Sequence, residues 1–154
     1  MKNAPTASSP ETLRPIVGVG VVVLRPAAAG LEVLLIRRGK PPRQGEWSIP
    51  GGKQEWGETL HEAAHREIME ETGVAIADLK LIDVVDGLMR DGQNTLTRHL
   101  TLIDYRASWL SGEVRPGDDA ADARWVPLAD LARYNLWSET MRVILAGANM
   151  GEAA

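Results

Sequence analysis

Arg66, Glu67, Glu70 and Glu71 set three carboxylates and one guanidinium within a turn and a half of chain, if that chain is helical. Carboxylates packed so closely repel one another unless a positive charge stands among them. A hard divalent cation, which prefers oxygen ligands, answers that need. The first chemistry these residues suggest is therefore metal binding.

The element that must carry them can be argued locally. Thr59 followed by Glu62 forms a capping box, in which the hydroxyl meets the Glu62 amide and the carboxylate returns to the Thr59 amide. Gly73 supplies a residue able to turn left-handed, so the spacing predicts a helix from about Leu60 to Thr72. At about 100° per residue, Leu60, Ala63, Ala64 and Ile68 share one arc, which should face the interior. Glu67 and Glu71 fall inside that arc, Glu70 sits at its edge, and Met69 points away. A solvated acidic stripe, the ordinary reading of a Glu-rich helix, would lie opposite the apolar arc. These carboxylates overlap it, so bound metal explains them better.

The residues from 52 to 74 resemble the Nudix box, Gly-x5-Glu-x7-Arg-Glu-U-x-Glu-Glu-x-Gly-U, where U is a bulky aliphatic residue. Gly52, Glu58, Arg66, Glu67, Ile68, Glu70, Glu71, Gly73 and Val74 fill its positions without a gap. Trp47-Ser48-Ile49-Pro50-Gly51-Gly52 resembles the usual lead-in, and Arg124-Trp125-Val126-Pro127-Leu128 a common closing strand. The resemblance implies an α/β fold: the Nudix-type α/β/α sandwich with a mixed central sheet. It also implies Glu67, Glu70 and Glu71 as core ligands of Mg²⁺, with Mn²⁺ as a substitute. One carboxylate would act as general base. Glu58 and the Gly51 backbone are candidates for the same metal shell, Glu58 alternatively bracing the loop. Arg66 would orient a glutamate through a bidentate pair. A further carboxylate is expected from the loop before the closing strand, with Asp119 first, then Asp118, then Asp122.

The activity implied is hydrolysis of a diphosphate linkage in a nucleoside diphosphate bound to another group, of ADP-ribose or nucleotide-sugar type. The products would be a nucleoside monophosphate and a phosphorylated partner. Met89 stands where many ADP-ribose hydrolases carry proline. Clean-up of oxidised nucleoside triphosphates is the enzymatic alternative. A module that senses nucleotides without cleaving them is the alternative of another class, disfavoured by the intact box.

Composition narrows the rest. The 154 residues suit one domain, 44% of them are hydrophobic, and the net charge of -4 argues against general affinity for nucleic-acid polymers. Without cysteine, neither disulfides nor thiolate metal sites can form. That also sets the chain apart from isopentenyl diphosphate isomerases, which resemble cysteine-dependent enzymes. Against the acidic background, Arg37, Arg38, Lys40, Arg43 and Lys53 form one basic stretch. With Gly52, the residues Arg37, Arg38, Arg43 and Lys53 are the candidate substrate-binding set, a rim that steers phosphates. His61, His65 and His99 look incidental, and Trp47, Trp56 and Trp109 read as core or rim aromatics.

Along the chain, residues 1–14 are rich in Pro, Ser, Thr and Ala and are expected to be mobile. A single domain is expected over 15–150. Ile16–Leu24, Leu31–Arg37, Trp47–Ile49, Leu79–Asp86 and Leu96–Tyr105 read as strands. A further strand, an acidic loop and a last strand should lie between Trp109 and Val126. Pro127–Tyr134 reads as a short helix, and Ser138 as the cap of a final helix in which Met141, Ile144, Leu145 and Ala148 recur. No run is long enough to span a membrane. A cytoplasmic protein, with a homodimer compatible, is the expectation.

Overall fold

β-branched runs and one strong helix signal account for most of the architecture. The structure is a computed structural model and describes residues 13–117 and 119–151. The segment expected to be mobile lies outside them, apart from Leu13 and Arg14. The strands are β1 (Ile16–Ala27), β2 (Gly30–Arg38), β3 (Trp47–Ser48), β4 (Gly51–Lys53), β5 (Ala75–Arg90), β6 (Leu96–Ser111) and β7 (Ala120–Pro127). The helices are α1 (Leu60–Thr72) and α2 (Ser138–Asn149), with a 3₁₀ helix at Leu128–Tyr134 before the second.

Among the described residues the strands form one mixed sheet in the order β3-β2-β1-β6-β5, with β4 added to β1 and β7 to β2. β1 runs parallel to β6 and its other pairings are antiparallel. Period-two alternation then sends the two sides of each central strand to different helices. Val21, Val23 and Leu34 pack with Ala64 and Ile68 of α1. Val22, Leu24, Val33 and Leu35 pack with Val143 and Ile144 of α2. The run Val33-Leu34-Leu35-Ile36 is apolar on both faces because both faces are covered. This is the expected α/β/α sandwich.

α1 begins and ends where its signals lie. Thr59 accepts from the Glu62 amide at 3.1 Å, Glu62 accepts from the Thr59 amide at 3.0 Å, and Gly73 closes the helix at φ 73°. Thr59→Ala is expected to cost about 1 kcal/mol of unfolding free energy, measurable by denaturant titration, because one amide loses its acceptor. Thr72, which the helical arc did not single out, is fully buried and donates its hydroxyl to the Ile68 carbonyl at 2.6 Å.

Three elements differ from expectation. The separate strand expected from Trp109 is the end of β6, which runs on to Ser111, and among the described residues β7 is the next strand. β5 starts at Ala75 rather than Leu79 and reaches Arg90, and its pairing with β6 shifts register at several points. Such bulges break the alternation that a sequence pattern needs. α2 is capped at Trp137 with no side-chain cap bond, and Ser138 is its first residue, not its cap. Its buried positions are Val143, Ile144 and Gly147, while Leu145 is 44% exposed.

Candidate active site

The acidic helix face meets the sheet at the glycine pair of β4. Gly51 lies against β1 so closely that a Cβ there would stand 2.0 Å from the Val19 carbonyl oxygen. A Cβ on Gly52 would stand 2.3 Å from the carboxyl carbon of Glu67. Both positions therefore need glycine for close approach, one to a strand and one to a carboxylate.

Arg66 organises the acids around it. Its Nε and Nη2 donate to the two oxygens of Glu58 at 2.5 and 3.0 Å. Nη1 donates to Glu67 at 2.8 Å and to Glu70 at 3.2 Å, and Nη2 also donates to the Lys53 carbonyl at 3.0 Å. The guanidinium hydrogen bonds hold Glu58 down to about 2. In this arrangement Glu58 braces the loop before α1 against the helix, and both its oxygens are engaged.

Burial governs Glu67 and Glu71. It raises Glu67, with Arg66 opposing. It pushes Glu71 up to about 8, helped by the charge of Glu67 and opposed by the Gly51 amide and by Arg38. Glu71 Oε2 is buried and meets no hydrogen-bond partner among the described residues. Groups like this lower their free energy by taking up a cation or a proton. Among the described residues, no three acidic or histidine side chains form a closed metal cage. Arg66 draws Glu67 and Glu70 towards itself. The donor set still fits a hard cation: carboxylate oxygens, no sulfur, and one buried oxygen left over. Glu67, Glu70 and Glu71 are the residues that would hold it.

Beside this cluster opens a slot with a cavity volume of about 200 Å³. Glu71, Gly51 and Gly52 stand along it with Arg38, Arg43 and Lys53, so four of the five expected substrate-binding residues come together there. Arg37 does not. Strand alternation turns it to the other side of β2, where its guanidinium lies 5.9 Å from the Trp47 ring centroid. The expected loop carboxylates are also scattered. Asp119 is exposed and pairs with Lys40 at 2.8 Å, although its charge is felt by Glu71. Asp122 pairs with Arg124 at 2.5 Å, and Asp118 lies outside the described residues.

With this geometry in place, comparison with known proteins is decisive. The NUDIX domain family model matches residues 14–146. The chain belongs to the Nudix family. As a Nudix hydrolase it acts on acid anhydrides. It is 38% identical over 130 residues to a Mycobacterium tuberculosis protein provisionally named 8-oxo-dGTP diphosphatase 2, covering 73% of this chain and 88% of the relative. It is 36% identical over 102 residues to the ADP-ribose pyrophosphatase of Methanocaldococcus jannaschii, covering 66% of this chain and 58% of the relative. Among solved structures, the MutT NUDIX hydrolase from Burkholderia pseudomallei aligns with a TM-score of 0.74 at 34% identity, over 87% of this chain and 98% of that one. The NUDIX domain of Shewanella oneidensis NrtR, solved with ADP ribose, shares the fold at a TM-score of 0.77 and 22% identity, over 97% and 99% of the two chains.

The Nudix slot also contains residues that the sequence reading passed over: Gly18, Gly20, Asp104, Trp137, Glu139 and Thr140. A signal for two of them was present. Glycines two apart in β1 fall on one face, and an aspartate interrupts the apolar run of β6. Trp137 and its neighbours reach the slot only through the packing of α2, which no local pattern records.

Asp104 has a thermodynamic consequence of its own. Burial pushes it up to about 6 from an ordinary 3.8, with Asp83 adding to the rise and Arg142 opposing it. Between those values the folded state holds a proton that the unfolded chain has released. Stability therefore falls as pH rises through this window, and the full penalty, at most about 3 kcal/mol, remains above it. Asp104→Asn is expected to raise unfolding free energy by about 2 kcal/mol near pH 8, with the gain fading below about pH 4. Denaturant titrations at the two pH values check it.

Proposed function

We propose that the chain is a divalent-metal-dependent pyrophosphohydrolase of nucleotides, acting first on nucleoside triphosphates to give a monophosphate and pyrophosphate. The observation that carries this reading is the buried, unpartnered Glu71 oxygen at the junction of the acidic cluster and the slot. A cation held there by Glu67, Glu70 and Glu71 would neutralise phosphate oxygens and acidify a bound water. The protein residues do the rest. Arg66 fixes the carboxylates, the Gly51-Gly52 backbone admits the phosphates closely, and Arg38, Arg43 and Lys53 attract them. Asp119 is assigned a supporting electrostatic role from the loop that flanks Glu71.

A slot of about 200 Å³ is smaller than the roughly 300–1,000 Å³ of pockets that enclose a whole drug-sized ligand. It suits one ring system, with the phosphates lying towards the acids. That size and the mycobacterial relative favour a triphosphate over a substrate with a second bulky group. The Methanocaldococcus relative supports the second reading, a nucleoside diphosphate linked to another group such as ribose.

Hydrolysis assays with Mg²⁺ or Mn²⁺ separate the two. Release of pyrophosphate from triphosphates, with ADP-ribose turned over more slowly, is the expected result. Cleavage of ADP-ribose to AMP, with triphosphates untouched, would establish the second reading. Absence of metal-dependent hydrolysis across both classes would refute the proposal.

A further inference from the structure

On the slot side of β6 the pleat presents Leu100, Leu102 and then Asp104, a carboxyl where the pattern calls for an aliphatic side chain. Asp104 is only 6% exposed. None of the hydrogen bonds or ion pairs among the described residues reaches its carboxyl. Arg142, the cation whose field it feels, is committed to Asp83 at 2.9 Å and to Glu139 at 2.8 Å. A buried carboxyl without donors is costly, and folded proteins rarely keep one without a use.

The neighbouring strand is shaped around this group. Gly20 stands opposite Asp104 in the parallel β1–β6 register, and a Cβ there would lie 2.4 Å from Asp104 Oδ1. Gly18 makes the same allowance for Leu102, where a Cβ would lie 3.1 Å from Cδ2. The two glycines hollow the slot floor, and the carboxyl lies across that floor between apolar walls that include Ile49, Val85 and Leu102. This apolar part of the slot, floored by an acid without donors and set apart from the basic residues and Glu71 along the slot, is chemically suited to a heterocycle that brings its own N–H donors.

We propose that Asp104 reads the base of the bound nucleotide, accepting two N–H donors from the edge of a 2-amino-6-oxopurine. This rests on the nucleotide reading above. An ionised carboxylate is an acceptor only. Guanine offers N1–H and the 2-amino group side by side, which match two carboxylate oxygens as a guanidinium fork does. Hypoxanthine keeps only N1–H. Adenine and cytosine each set a ring acceptor beside one amino donor, and uracil or thymine flanks its N–H with two carbonyls. Each of these leaves a carboxylate oxygen facing an acceptor or nothing. Substitution at C8 does not alter the edge, so guanine and its C8-oxidised form are read alike. With its titration near 6, the side chain is mostly ionised at neutral pH and above.

Asp104→Asn provides the test, because it keeps the shape and changes one acceptor into a donor. The amide suits xanthine, whose N1–H adjoins a C2 carbonyl, and mismatches guanine. The measurements are kcat and KM for GTP, ITP, XTP and ATP with Mg²⁺, and calorimetric binding of GMP and XMP, on both proteins after thermal unfolding shows each to be folded. The parent is expected to prefer GTP to ITP by about tenfold and to ATP and XTP by more. In the variant kcat/KM for GTP should fall about 100-fold, mostly through KM, and the order of GTP and XTP should invert. Gly20→Ala, which crowds the carboxyl without changing its chemistry, should weaken GMP binding without inverting the preference.

Hydrolysis of nucleotides with the same base preference in both proteins would overturn the role of Asp104 and leave the hydrolase reading intact. GMP binding that depends on Asp104, without turnover of any nucleotide, would do the reverse. Failure to bind or hydrolyse any of these nucleotides would overturn both.

Discussion

Glu70→Gln is expected to lower kcat by at least about 100-fold at saturating Mg²⁺ while leaving the fold intact. The carboxylate belongs to the acidic cluster but contributes little to packing. Its side chain is 60% exposed, and its one side-chain hydrogen bond among the described residues, to Arg66 at 3.2 Å, is the longest that guanidinium makes to a carboxylate. Exchanging one oxygen for nitrogen removes a charge and a metal-ligating atom but no volume. A surface change of this kind moves stability by about 0.5 kcal/mol or less. Steady-state kinetics, denaturant titration and a Mn²⁺ binding isotherm read the three effects separately. A variant with parental kcat and parental metal affinity would remove Glu70 from the metal site, and loss of cooperative unfolding would make its role structural.

Arg66→Ala should produce the next largest effect, and on stability as well as rate. The guanidinium serves Glu58, Glu67 and Glu70 together and ties the end of β4 at Lys53 to the helix. Without it the half-buried Glu67 loses its counter-charge beside Glu71, and like charges face one another in a poorly solvated place. Removing one member of a buried pair costs about 3–5 kcal/mol, and partial exposure here brings the expectation to about 2 kcal/mol. Bound metal would take over part of the neutralisation. Mg²⁺ should therefore raise the melting temperature of the variant more than that of the parent. Equal shifts in the two proteins would show that the guanidinium and the metal serve different acids.

Both expectations start from residues that the sequence itself made visible, because their signals are local. A capping box, a helical arc and a glycine in the left-handed region each depend on residues within a few positions of one another. Leu60–Thr72 was therefore legible to its ends, and with it the overlap of Glu67 and Glu71 with the buried arc. The two-sided apolar run of β2 announced a covered central strand for the same reason. Tertiary structure alone decided what those acids face. The parallel pairing of β1 with β6 sets Gly20 beside Asp104, more than eighty residues away in the chain, and so turns two unconnected sequence oddities into one slot. Packing of α2 onto the sheet brings Trp137 and Glu139 to that slot, and the pleat of β2 admits Arg38 while turning Arg37 away. Local propensities fix which residues share a helix face or a strand face. Which faces then meet is decided by long-range pairing and by burial of the whole sheet between two helices, and no window of sequence contains that information.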